Sequence, residues 1–107
     1  MIDFSQLDPV IHEKGRLAIV SLLASRAHAW PFSELRDELG QSDGNLITHL
    51  RTLENAGYVS HDKVSGSGRP RTSYTLTAEG KSAFQAYLEL LAQLVASQAP
   101  GKKRSKV

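Results

Sequence analysis

Between Phe32 and Leu76 the chain stops and restarts its local structure in a fixed order, and that order limits the fold more than any other feature. Phe32, Leu35 and Leu39 recur at the spacing of one helical face. Glu34 falls in the first turn, where the helix dipole favours a carboxylate. Gly40 follows, a residue that tolerates the left-handed conformation closing a helix. Two residues later Ser42 offers a hydroxyl as N-cap, and a third helical run extends from Asp43 to Ala56 until Gly57 ends it. Two helices joined by a short Gly-containing turn predict a helix-turn-helix.

The flanks complete the pattern. Upstream, Asp8 and Pro9 predict a helix start, since Asp can cap and Pro has its φ preset. Val10, Ile11, Lys14, Leu17, Ala18, Ser21 and Leu22 continue at helical spacing to near Arg26, and Ile19, Val20 and Leu23 widen the stripe. A helix apolar over so much of its circumference must be covered on more than one side. Downstream, Tyr58 to Val64 and Thr72 to Leu76 are β-prone, and Ser65 to Gly68 separate them as a mobile tip. Thr77 caps a last helix from Ala78 to about Ser97, with Phe84, Tyr87, Leu88, Leu91, Leu94 and Val95 close to a heptad seam. The predicted fold class is mainly α with a β-hairpin wing: a winged helix-turn-helix over residues 1–98, followed by a disordered basic tail over 99–107.

Composition removes whole classes. A length of 107 residues suits one domain, and 40% apolar with 22% charged is globular. No run approaches the ~18 apolar residues of a membrane span. The first ten residues hold no Lys, no Arg and no apolar core of a secretory signal, so a cytoplasmic location is expected. Without Cys there is no disulfide, thiolate metal site or thiol redox chemistry. The net charge of +2 misleads, because four of the 13 Lys and Arg lie in the last six residues. The remaining nine face 11 acids, so the body carries −2. Only local placement of charge is informative.

On a wheel of the third helix, Leu46, Leu50 and Leu53 form the core face, with Ile47 adjacent. Gly44, Asn45, Thr48, Arg51, Thr52 and Asn55 occupy the opposite arc, while Asp43 and Glu54 fall on one flank and His49 on the other. An ordinary solvated face carries Glu–Lys pairs; this one holds small hydrogen-bonding residues, one Arg and no carboxylate. A helix entering the major groove needs such groups for base edges and must keep acids from phosphates. Gly44 would let the backbone approach the duplex. Lys63, Arg69 and Arg71 gather on the predicted hairpin, where cations can reach phosphates or a minor groove.

These stretches resemble the small winged-helix transcriptional regulators, near the MarR-like and ArsR-like repressors. The resemblance rests on Asp8 to Glu13, Arg16-Leu17, Phe32 to Leu35, Leu39-Gly40, Ser42 to Leu46, His49-Leu50, Leu53-Glu54 and Ala56 to Val59. It continues through Gly68 to Thr72, Tyr74 to Thr77, Gly80 and Phe84. It implies a homodimer held by the first and last helices, third helices in successive major grooves and wings on flanking backbone. The expected DNA-binding residues are Ser42, Gly44, Asn45, Thr48, His49, Arg51, Thr52, Lys63, Arg69 and Arg71. The expected dimer interface is Val10, Ile11, Leu17, Phe84, Tyr87, Leu88, Leu91, Leu94 and Val95. Two apolar helices in a domain too small to hide both also support dimerisation; the rival reading is that both stripes serve one chain's core.

The other candidates are weaker. His12, His28, His49 and His61 form no ligand motif, and His61 and Asp62 would point to opposite faces of a strand, so no metal is expected. Trp30 reads as an anchor for the second helix more than as a pocket wall. Gly66-Ser67-Gly68 lacks the strand-to-helix context of a nucleophile elbow, and no phosphate loop or dinucleotide fingerprint occurs. No enzyme activity and no cofactor are expected. The partners are double-stranded DNA and a second copy, with a small-molecule effector of unknown identity left open. The alternative is a winged-helix module that binds protein and never DNA.

Overall fold

Gly40 and Gly57 take φ values of 66° and 85°, among the described residues the only left-handed backbone, and they end two consecutive helices as their spacing predicts. The computed structural model describes residues 3–64, 68 and 70–98, with the side chains of Val64 and Gln98 excepted. A 3-10 turn at Phe4–Gln6 precedes helix α1 (Lys14–Ala24), strand β1 (Trp30–Pro31) and helices α2 (Phe32–Leu39) and α3 (Asp43–Asn55). Strands β2 (Val59–Val64) and β3 (Arg71–Leu76) and helix α4 (Ala78–Gln98) follow. Helix α2 thus ends and α3 begins where the caps place them. The tail over 99–107 lies outside the described residues.

The first helix departs from its expected start at Asp8 and Pro9. Asp8 does cap, but only one turn: its Oδ1 accepts from the Val10 N–H at 2.9 Å, and the His12 N–H reaches the Asp8 carbonyl at 2.7 Å. Glu13 then goes extended, with φ −137° and ψ 133°, and its carboxylate caps α1 by accepting from the Arg16 N–H at 2.9 Å. The Arg16 Nε donates to the Val10 carbonyl at 2.6 Å, serving an acceptor that a continuous helix would have bonded internally. Val10 and Ile11 therefore sit in a loop. The break turns Ile11 into full burial against Leu7 and Tyr87.

Strand β1 is the element absent from the sequence reading. Trp30 pairs with Tyr74 and Pro31 with Ser73, which makes a three-stranded antiparallel sheet in the order β1-β3-β2. Two residues cannot display a period-2 pattern, and Pro31 is tolerated because its strand lies at an edge. Trp30 is buried, with the Arg26 guanidinium 3.8 Å from its ring centroid.

The core has two parts. The larger joins Ile19, Val20 and Leu23 of α1, Leu35 of α2, Leu46, Leu50 and Leu53 of α3, and Trp30, Val59 and Leu76 of the sheet. The smaller holds Leu7, Ile11 and Tyr87, with the His12 Nδ1 and Tyr87 hydroxyl 2.7 Å apart at its edge. Tyr58 and Phe84 touch both. The start of α4 is locked to the end of α3: the Thr77 hydroxyl accepts from the Gly80 N–H at 2.9 Å and donates to the Gly57 carbonyl at 2.6 Å. Gly80 approaches so closely that a Cβ there would lie 2.1 Å from the Tyr58 carbonyl oxygen.

Candidate nucleic-acid interface

Helix α3 is seated by Leu46, Leu50 and Leu53, all essentially inaccessible, and this fixes which arc faces outward. Ser42 caps it, its hydroxyl accepting from the Asn45 N–H at 3.2 Å. Ser42, Gly44, Asn45, Thr48 and Arg51 are all exposed. Thr52 is half-buried, and its hydroxyl donates to the Thr48 carbonyl at 3.1 Å within the same helix. His49 does not join the arc. It turns towards the start of α1, with its Nδ1 3.5 Å from Arg16 Nη1 and 3.8 Å from Glu13 Oε1. Its Nε2 lies 2.7 Å from where a Cβ on Gly15 would stand.

The hairpin places Lys63 and Arg71, both exposed, on adjacent strands, with Lys63 opposite Thr72 and Arg71 opposite Val64. Arg69 lies outside the described residues. A cleft of about 400 Å³ runs between α3 and the hairpin, bordered by Arg51 and Ile47 on one side and Lys63 and Thr72 on the other. Tyr74 closes its floor between the rings of Phe32 and His61, at centroid distances of 6.4 and 5.9 Å. Burial raises the Tyr74 phenol above its ordinary range, with the Glu54 charge adding and the Arg51 charge opposing.

The acids of α3 each have a side-chain partner in the same chain. Arg36 of α2 reaches Asp43 at 3.3 Å, and that hydrogen bond, followed by the one to Asp37, raises the guanidinium above its usual value. Glu54 is held by the imidazole Nδ1 of His61. Among the described residues no carboxylate lies within ion-pair distance of Arg51, Lys63 or Arg71. The sequence displayed the acid-free arc but not this pairing, because Arg36–Asp43 and Glu54–His61 each join different elements. It also missed Ile47, which is 38% exposed beside Arg51 instead of covered by the core. Among the described residues no three His, Asp or Glu side chains gather as a metal site, and no helix is long and apolar enough to cross a membrane.

The expected interface residues divide sharply. Ile11 and Tyr87 are covered by their own chain, at 0% and 3% exposure. Val10, Leu17, Phe84, Leu91 and Leu94 are half-buried. Leu88 and Val95 remain 43% and 55% exposed on α4.

A helix-turn-helix followed by an antiparallel hairpin that pairs back onto a short strand defines a winged-helix protein. Residues 16–95 match the winged helix DNA-binding domain family, and the chain belongs to it. The chain is similar to an uncharacterized protein of Methanocaldococcus jannaschii, 35% identical over 79 residues that cover 74% of this chain and 85% of that one. Among solved structures it is similar to a transcriptional regulator homologue from Pyrococcus horikoshii, at 32% identity and a TM-score of 0.74, covering 82% of this chain and 86% of that one. A chain from Enterococcus faecalis assigned to the MarR family of regulators is similar at 29% identity and a TM-score of 0.72, covering 89% and 84%. The family is one of DNA-binding domains, and both of these solved structures are of transcriptional regulators or their homologues.

Proposed function

We propose that the protein is a sequence-specific transcriptional repressor that binds a palindromic site as a homodimer. Helix α3 lies in the major groove, with Asn45, Thr48 and Arg51 at base edges or nearby phosphates and Ser42 and Gly44 at the backbone. Lys63 and Arg71 of the hairpin rest on flanking phosphates. The observation that carries this reading is the sorting of charge. Asp43 is paired with Arg36 and Glu54 is hydrogen-bonded by His61, whereas Arg51, Lys63 and Arg71 have no carboxylate partner among the described residues. The cations on this face are thereby left to phosphate, while its acids are engaged within the chain.

Leu88 and Val95, one helical face apart by seven residues, supply the contact between copies, with half-buried Leu91 between them. A two-fold dimer would set the two α3 helices about 34 Å apart, one turn of DNA. Repression requires only that the site be occupied.

Selection of bound duplexes from a random pool, followed by gel-shift titration, tests the reading. Two-fold-symmetric sites and a loss of roughly tenfold or more in affinity for Arg51→Ala are expected. An Arg51→Ala variant of unchanged affinity removes Arg51 from the interface. No binding to random duplex at ~50 mM salt would favour a protein-binding module instead, since non-specific attraction should be strong there. Transcription from a promoter carrying the selected site decides between repression and activation.

A further inference from the structure

We propose that Ile47 reads the 5-methyl group of a thymine, which makes it a specificity-determining residue of the interface. The proposal rests on the reading that α3 enters the major groove. Large apolar side chains exposed among the described residues are Phe4, Ile47, Leu88 and Val95. Leu88 and Val95 share a stripe on α4, and Phe4 belongs to the N-terminal turn. Ile47 stands apart from these, among Gly44, Thr48 and Arg51.

Ile47 is not one of the side chains that seat the helix. Leu46, Leu50 and Leu53 seat α3 at 0%, 1% and 0% exposure without it. A β-branched residue is also a weaker helix former than Ala at an exposed position. Its chemistry points outward. Ile47 offers neither donor nor acceptor, so a base edge that rewards it must be apolar, and the thymine methyl is the one apolar group on major-groove edges.

Ile47 and Arg51 are four residues apart and line the same side of the cleft facing the hairpin. Four residues of helix rise only ~6 Å, so the thymine should lie within a few base pairs of the position that Arg51 contacts.

The test uses the duplex recovered from random selection, with each thymine replaced singly by deoxyuridine. That exchange keeps pairing and removes only the methyl. The wild-type protein should lose roughly fourfold in affinity at one thymine per half-site, the scale of burying one methyl-sized group. Ile47→Ala should bind the thymine duplex more weakly and show no further loss from deoxyuridine at that position, while its other losses persist. Ile47→Val should retain part of the discrimination, and thermal unfolding of both variants checks that α3 stays folded. Identical deoxyuridine profiles for wild type and Ile47→Ala would overturn the thymine contact while leaving DNA binding intact. Recovery of no duplex at all would overturn the DNA reading, and the Ile47 proposal with it.

Discussion

The two apolar clusters differ in how far one chain can finish them. The larger joins three helices and the sheet, and its central side chains, Leu35, Leu46 and Leu53, are fully inaccessible. The smaller has three buried members, Leu7, Ile11 and Tyr87, and a broad margin of half-buried α4 residues. Beyond that margin Leu88 and Val95 face outward. The half that positions α3 is thus complete in itself, whereas the half built on α4 ends in apolar surface. Under the proposed function, reading and association would fall to different regions of one small domain.

The comparison breaks most visibly at Leu50. Leu50→Ala should cost about 3 kcal/mol, because a cavity at this depth cannot collapse. Denaturant unfolding would show it, and a cost below about 1 kcal/mol would mean that the larger cluster is not the stabilising centre. Ile11→Ala should cost about 2 kcal/mol, since the loop carrying it can relax towards α4. Its mark should be local: amide exchange should quicken in α4 and the N-terminal turn while α3 keeps its protection. Equal acceleration in both would show that the clusters unfold as one. Ser42→Ala should cost about 1 kcal/mol through loss of the cap on Asn45.

A smaller effect tests the joint between the clusters. The Tyr58 hydroxyl donates to the Asp8 carboxylate, and that hydrogen bond, followed by burial, pushes the phenol up to about 12. The folded value exceeds the ordinary one near ~10, so the stabilisation is fully present below pH ~10 and fades as pH rises through about 12. Tyr58→Phe should lack this part of the alkaline decline; a variant with the same profile as wild type would remove the coupling. The least effect on folding belongs to Leu88→Ser combined with Val95→Ser, expected within about 0.5 kcal/mol per chain for surface positions. Light scattering should nevertheless show the mass fall from dimer to monomer. An unchanged mass would take the association surface away from this stripe.

Much of the reading half was legible because its signals are local. Gly40, Ser42 and Gly57, and Thr77 through its cap on Gly80, act on backbone groups within a few residues, so their positions mark element ends directly. The leucines of α2 and α3 repeat often enough to show which way each helix faces. Asp8 and Pro9 carried an equally local signal, and it was overruled: the N-terminal segment bends so that Ile11 can reach Leu7 and Tyr87, 76 residues away from Ile11 in the latter case. Strand β1 was invisible because its two residues become a strand only by pairing with Tyr74 and Ser73.

The sequence by itself determined the order of elements, the caps that bound them and the absence of acids from one arc of α3, all properties of neighbours along the chain. Only the tertiary structure decided that His49 meets Arg16 and Glu13, that Ile47 stays exposed, and that Asp43 and Glu54 find Arg36 and His61. A helical wheel states the bearing of a side chain relative to its own helix. How wide an arc is covered depends on which distant elements pack there, and that is set by contacts between residues far apart in sequence.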